Sequence, residues 1–357
     1  MSINTLAHVF TPHGNIVYTA NDFRQTVRIA VAGTIALSIS TFYDVQYGVF
    51  FVVYPLMLMS LVPMFNLHVA RQFIFSAAVN CVEMVLIVGY LSQWPVIMTL
   101  VVFALYVMRF RFMSQGPLFL LGSMGVVCQS TMRTMLNFMS YPTSNWHTLM
   151  FSNMEACVMA VALSALLHYL IPDVEPRKPP PRIEKDAARI RHESLLSGTV
   201  ATIIFVVFQI CDLSDSLSAL MAGILILFPM HYRGAVISSI WRVVGVVLAC
   251  LYILVVQLII YDFSNHMILM MPLIGLGLAF SARLHVMEKV GAGVGFASIT
   301  TIGIMFGQNL HPYQDLVFSD LYRITSVTVS LVVTLTLVFL MHRLLNCFAA
   351  TRFVVSD

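Results

Sequence analysis

Glu83, Glu155 and Arg133 are ionisable residues set within long apolar stretches of this chain, and chemistry in the sequence starts with them. A charged side chain at the centre of a membrane helix costs about 2.5–3.5 kcal/mol on insertion scales, so each such residue needs a partner, water or a task. Glu83 lies near the middle of the stretch 72–91, and Glu155 in the first third of 149–171. A carboxyl group held out of water favours its neutral form, which makes both glutamates candidates for exchanging protons. The blander reading is a hydrogen-bonded acid that only holds helices together. Asn80 precedes Glu83 by three residues, on the same helix face, and is placed to support it.

Arg133 belongs to the polar run Gln129-Ser130-Thr131-Met132-Arg133-Thr134, in the outer half of the stretch 117–139. A cation there can hold an anionic substrate or the Glu155 carboxylate, or reach out to the lipid headgroups. Arg71 and Arg242 open the third and ninth apolar stretches. They are candidates for drawing an anion from the cytosol into a vestibule, with simple topology marking as the rival reading. Gln129 and Gln308 stand at matching places in two later stretches as polar support. His285 and Glu288 sit three apart in what reads as a charged loop, a solvated face rather than a metal site. Gly291 and Gly295 have the spacing of a helix-packing motif. No glycine-rich loop ending in lysine offers a nucleotide-phosphate site. Nor is a nucleophile–base pair or a metal-ligand cluster visible, so the sequence does not read as an enzyme and implies no cofactor.

The elements that must carry these residues follow from hydropathy. Of the 357 residues 59% are hydrophobic and 10% charged, and the mean hydropathy is +0.88, which excludes an ordinary soluble domain. Twelve apolar stretches, near 25–43, 47–66, 72–91, 94–108, 117–139, 149–171, 195–211, 217–232, 242–261, 267–282, 290–308 and 322–345, predict an all-α polytopic membrane protein. If every second connection and both ends are cytoplasmic, all but Arg133 and Arg323 of the nineteen Lys and Arg residues fall on one side, as short cytoplasmic loops should arrange them. Arg323, beside Asp320, reads as half of an exposed pair at a helix start. The first 22 residues are mixed and polar and show no secretory h-region. The net charge of +3 reflects this topology and not a nucleic-acid partner. The six cysteines form no CxxC pair and read as small buried hydrophobes.

A proline-rich, basic segment divides the chain: Ile171-Pro172-Asp173-Val174-Glu175-Pro176-Arg177-Lys178-Pro179-Pro180-Pro181. Consecutive prolines favour an extended spacer. The predicted organisation is a cytoplasmic tail over 1–22, a six-helix repeat over 23–171, a cytoplasmic linker over 172–193, a second six-helix repeat over 194–347 and a tail over 348–357. Arg24 with Gly33-Thr34-Ile35-Ala36 aligns with Arg189 and Gly198-Thr199-Val200-Ala201, Pro55 with Pro229, Arg71 with Arg242, and Gln129 with Gln308. An even number of spans in each half makes the repeats parallel.

An arginine-bearing approach, a proline-ended second span and a third span opening on arginine, all repeated about a cytoplasmic linker, resemble the fusaric-acid-resistance and aromatic-acid-exporter superfamily (FUSC-like), in a short bacterial branch of unknown function. The clearest match is Arg242-Val243-Val244-Gly245; Gln72 follows Arg71 where a glycine would be expected. The likeness spans roughly residues 20–347, with a linker standing where longer relatives carry a cytosolic domain. It implies a bacterial inner-membrane exporter of small aromatic or weak organic acids, one that works with a periplasmic membrane-fusion adaptor of the HlyD type. In the resulting reading Arg71, Arg242 and Arg133 contact the anion, Glu83 and Glu155 exchange protons, and homo-oligomers remain open. A passive anion channel of the same fold and a non-transporting membrane scaffold are the alternatives.

Overall fold

The computed structural model describes residues 18–45, 47–91, 93–137, 146–177, 185–211, 217–260, 267–289, 291–309 and 316–353. Twelve α-helices form among them: α1 (Ala20–Phe42), α2 (Gly48–Leu61), α3 (Leu67–Leu86), α4 (Pro95–Gln115), α5 (Phe119–Asn137), α6 (Trp146–Leu170), α7 (Ala187–Ile210), α8 (Leu217–Leu225), α9 (Tyr232–Ile260), α10 (Met267–Glu288), α11 (Val294–Asn309) and α12 (Leu316–Asn346). A π-helical turn, Ile87–Leu91, prolongs α3, and no strand occurs among the described residues. Each expected apolar stretch therefore has its helix. Eight of them, α1, α3, α4, α6, α7, α9, α10 and α12, are long and apolar enough to cross a membrane. The protein is an all-α, multi-pass membrane protein.

Local chemistry fixes several helix ends. Thr19 and Asp22 form a reciprocal capping box at the start of α1, with bonds of 3.2 and 3.0 Å, so two otherwise orphaned amides find acceptors. The Asn66 side chain accepts from Val69 N at 2.9 Å to open α3, and that of Asp186 accepts from Ala188 N at 3.2 Å to open α7. Pro95 occupies the first turn of α4, where its missing N–H leaves no helical bond unmade.

Some boundaries differ from expectation. The stretch 217–232 yields only the nine residues of α8. Pro229 explains this, because its ring would clash with the carbonyl of Leu225, where the helix stops; Met230 then takes a left-handed φ of 57°. Pro55, its sequence counterpart, lies inside α2. Helix α4 continues past residue 108 to Gln115. Helix α7 begins at Ala187, within the segment expected to be linker, and α9 begins at Tyr232, so Arg242 is well inside its helix and not at its opening.

The chain divides into two compact units, and neither follows the sequence halves. One contains residues 1–65, 162–178 and 240–317, hence α1, α2, α10 and α11 with parts of α6 and α9. In it, Gly33 of α1 leaves room for Leu278 of α10 and Leu56 of α2: an added Cβ would lie 2.6 and 2.7 Å from their side chains. The other contains residues 66–161, 179–239 and 318–357, hence α3, α4, α5, α7, α8 and α12. There Gly198 of α7 meets Val107 of α4, whose backbone N and Cα would be 3.0 Å from a new Cβ. Small residues at such crossings let backbones approach where lipid gives helices no hydrophobic drive to associate.

Candidate anion and proton site

Glu83 is not a solitary acid. On α3, Gln72, Ser76, Asn80 and Glu83 are spaced four, four and three residues apart, which lines them along one face, and all four are buried. The stripe packs on the start of α5: Gln72 Nε2 donates to Pro117 O at 2.9 Å, Gln72 Oε1 accepts from Leu121 N at 3.3 Å, and Ser76 Oγ donates to Leu121 O at 3.1 Å. Beyond these neutral bonds the stripe ends in a charge pair. Arg109 of α4 donates from Nη2 to Glu83 Oε1 at 2.8 Å and to Asn80 Oδ1 at 3.2 Å, and from Nη1 to Leu121 O at 3.3 Å. Its side chain is 1% exposed and that of Glu83 9%.

The expected stretch 94–108 leaves Arg109 in a cytoplasmic loop; it lies instead within α4, because that helix runs a full span from Pro95. Gly125 of α5 provides its seat. A Cβ at that glycine would come within 2.7 Å of the Arg109 Cζ and Nη1 and 2.8 Å of Nε, so the guanidinium rests against bare backbone. One turn earlier, Tyr106 bonds Ser130 of α5 at 2.9 Å. Two buried donors, Arg109 Nε and Asn80 Nδ2, have no hydrogen-bond partner among the described residues. Buried donors left unfilled are costly and uncommon.

The other expected residues have separate fates. Arg242 is 5% exposed and donates to Thr300 Oγ1 of α11 at 3.4 Å, with no ion pair among the described residues; its Nε is also unfilled. Arg71, its sequence counterpart, is exposed on α3. Glu155 is exposed on α6, away from the stripe's buried contacts. Gln129 is buried on α5. Arg133 lies on α5 and Gln308 on α11, but both side chains are outside the described residues. Asp320 and Arg323, expected to be an exposed pair, are both buried. His285 and Glu288 belong to α10 instead of a solvated loop: His285 bonds Ser60 O at 3.0 Å, and Glu288 accepts from Val294 N and Gly295 N at 3.1 Å each, capping α11. Gly295 packs on His285, whereas Gly291 lies in the turn with nothing near it.

Two further ion networks escaped the sequence reading. Glu193 of α7 is fully buried and accepts from Lys185 at 2.7 Å, Arg189 at 2.8 Å and Ser114 Oγ at 2.6 Å. Arg28 of α1 pairs with Asp173 at 2.8 Å, while Arg177 reaches Asp173 at 3.3 Å and Gln25 Oε1 at 2.7 Å. The stretch 171–177 is thus held to the start of α1; residues 178–184, including Arg182, are outside the described part.

The fold and the buried pair define a polytopic helical membrane protein with charge in its interior. A family model described as a protein of unknown function (DUF2955) matches residues 25–167, a stretch running from α1 into α6 that includes the Glu83–Arg109 site. No curated protein and no solved structure matches the chain.

Proposed function

We propose that this protein is a transporter of the bacterial inner membrane that exports small aromatic or lipophilic organic acids with proton coupling, both termini being cytoplasmic. The observation that carries this reading is the Glu83–Arg109 pair, with two unfilled donors beside it. A structural ion pair gains by filling every donor, whereas a binding site keeps some for its ligand. Glu83 is the proton-exchanging acid. Arg242, a buried cation whose one partner among the described residues is a hydroxyl, is a second place for the anion. On this reading the chain catalyses no covalent reaction, and the outward direction and the HlyD-type periplasmic adaptor rest on the family resemblance alone.

The two-repeat architecture is part of the same proposal, and the packing supports it. The second and fifth helices are the shortest of each set of six, with 14 and 19 residues in α2 and α5, and 9 and 16 in α8 and α11. Furthermore, the matched glycines Gly33 and Gly198 put the first helix of each set against the fourth helix of the other. The site itself has no such duplicate: leucines occupy positions 251 and 254, where the Arg71–Arg242 offset would place Asn80 and Glu83.

The test is uptake of radiolabelled benzoate by inside-out vesicles under an imposed pH gradient, comparing the native protein with Glu83→Gln. Loss of the proton-driven component in the variant supports the assignment; unchanged coupling refutes it. Arg242 also favours a second reading, a passive anion pathway, which would instead give ohmic anion currents in a planar bilayer without any pH gradient.

A further inference from the structure

We infer that Arg109 is the cation that binds the substrate's anionic group, and that it releases Glu83 to do so only when Glu83 takes up a proton. This deepens the transporter reading and rests on it.

The guanidinium geometry is the first ground. Nε and Nη2 share one edge of the planar group, the fork that grips a carboxylate through two parallel bonds. Glu83 contacts Nη2 alone, at 2.8 Å, and Nε has no acceptor among the described residues. Asn80, which gives its oxygen to the same Nη2 at 3.2 Å, has its amide N–H groups unfilled. The site therefore holds one internal carboxylate with half a fork and keeps donors that a bidentate anion would use.

Which partner moves is fixed by packing. Arg109 is held from behind by Leu121 O and lies against Gly125. Glu83 is the more exposed of the two and has no second cation within ion-pair distance among the described residues. The cation stays and the carboxylate leaves.

Charge then sets the coupling. The resting pair is neutral. An added monoanion leaves one uncompensated negative charge in a buried site, and an added proton one positive charge; either costs several kcal/mol of desolvation. Both together leave the site neutral again. In the exchange, the bond from Nη2 to Glu83 breaks, a proton adds to the freed Glu83 carboxylate, and the ligand's two oxygens take Nε and Nη2. Among the described residues, the other titratable groups near Glu83 are a tyrosine, thiols and a paired histidine, the buried Cys157 of α6 among them, and none is a second buried carboxylate. From α4 come Arg109 and Tyr106, the latter bonded to Ser130. The described part of α5 offers only Cys128, α8 has no ionisable residue, and the carboxylate on α6, Glu155, is exposed. Cys81 of α3 itself turns to Met150 O, and His68 pairs with Gln72. Proton and organic monoanion consequently occupy the site together, and the loaded site carries no net charge.

The test uses purified full-length protein in detergent with benzenesulfonate, an anion that cannot itself be protonated at working pH. Binding is followed calorimetrically in weakly buffered solution with a pH indicator. The native protein should take up about one proton per anion bound, and its affinity should fall about tenfold per pH unit once Glu83 is ionised. In Glu83→Gln binding should persist without proton uptake, and in Arg109→Gln affinity should drop about tenfold or more. Should Glu83→Gln fail to fold, the pH profile of the native protein decides alone. Binding without proton uptake overturns the exchange but leaves the transporter reading standing. No binding of benzenesulfonate or benzoate by the native protein overturns both.

Discussion

Removing one member of the Glu83–Arg109 pair should damage the fold far more than removing both. The carboxylate accepts a charge-assisted bond at 2.8 Å from a guanidinium that is 1% exposed. In Arg109→Met that carboxylate would remain in a buried stripe with no cation, and in Glu83→Leu the guanidinium would remain with only Asn80 and Leu121 O. Breaking a buried pair from either side costs about 3–5 kcal/mol, whereas replacing both members by apolar groups of similar volume is often neutral or stabilising by about 1–4 kcal/mol. The double variant Glu83→Leu/Arg109→Met should therefore be about as stable as the native protein. Its coupling energy would exceed about 3 kcal/mol, the top of the range usual for contacting residues. Unfolding of the four proteins by SDS titration in mixed micelles measures this. Two single variants that each cost less than about 1 kcal/mol and simply add would show the pair to be solvated, and the reasoning from burial would fall. Transport by the stable double variant separates the roles further: if the pair serves only the fold, proton-coupled benzoate uptake should survive in it.

Three other outcomes are expected. Gly125→Ala should push the Arg109 guanidinium off its seat, since the new Cβ would lie 2.7 Å from Cζ; about 1–3 kcal/mol of stability is at stake, and calorimetric benzoate affinity should weaken with it, an unaltered affinity counting against the assigned seat. Glu193→Gln leaves Lys185 and Arg189 to solvent, so the loss should be about 1–3 kcal/mol, together with faster tryptic cleavage at Lys185; an unchanged cleavage rate would show that Glu193 does not hold the end of the linker. The exposed cysteines test orientation, because Cys211 and Cys347 lie on opposite sides in the proposed topology: in intact cells an impermeant maleimide should label Cys211 and spare Cys347, and the reverse pattern would invert the protein.

Much of the site was open to a stricter reading of the same residues. The stripe Gln72, Ser76, Asn80 and Glu83 follows helical spacing, yet Asn80 alone is joined to Glu83 from the sequence. Arg109 was missed because its apolar stretch was ended at residue 108. A span beginning at Pro95 needs about twenty residues and so must include Arg109, which makes it the obvious counter-charge for Glu83. By contrast, nothing in the local sequence separates Arg242 from Arg71. Both open comparable stretches, and only the approach of Thr300 on α11 and the early start of α9 place Arg242 inside the protein. Glu155 resembles Glu83 in its surroundings along the chain but faces outward, since rotation about a helix axis is set by neighbours that local sequence does not reveal.

The sequence alone determined that this is an all-α membrane protein, with a helix for each apolar stretch, because hydropathy acts within a few residues of chain. Tertiary structure alone decided that helices from opposite sides of the linker pack together and that Glu83 meets Arg109 over Gly125. It also decided that Glu193 draws Lys185, Arg189 and Ser114 to one carboxylate. Such contacts depend on which small residues let two backbones close to a few ångströms, and on charges that pair only once water is excluded. Both are properties of surfaces brought together across the fold.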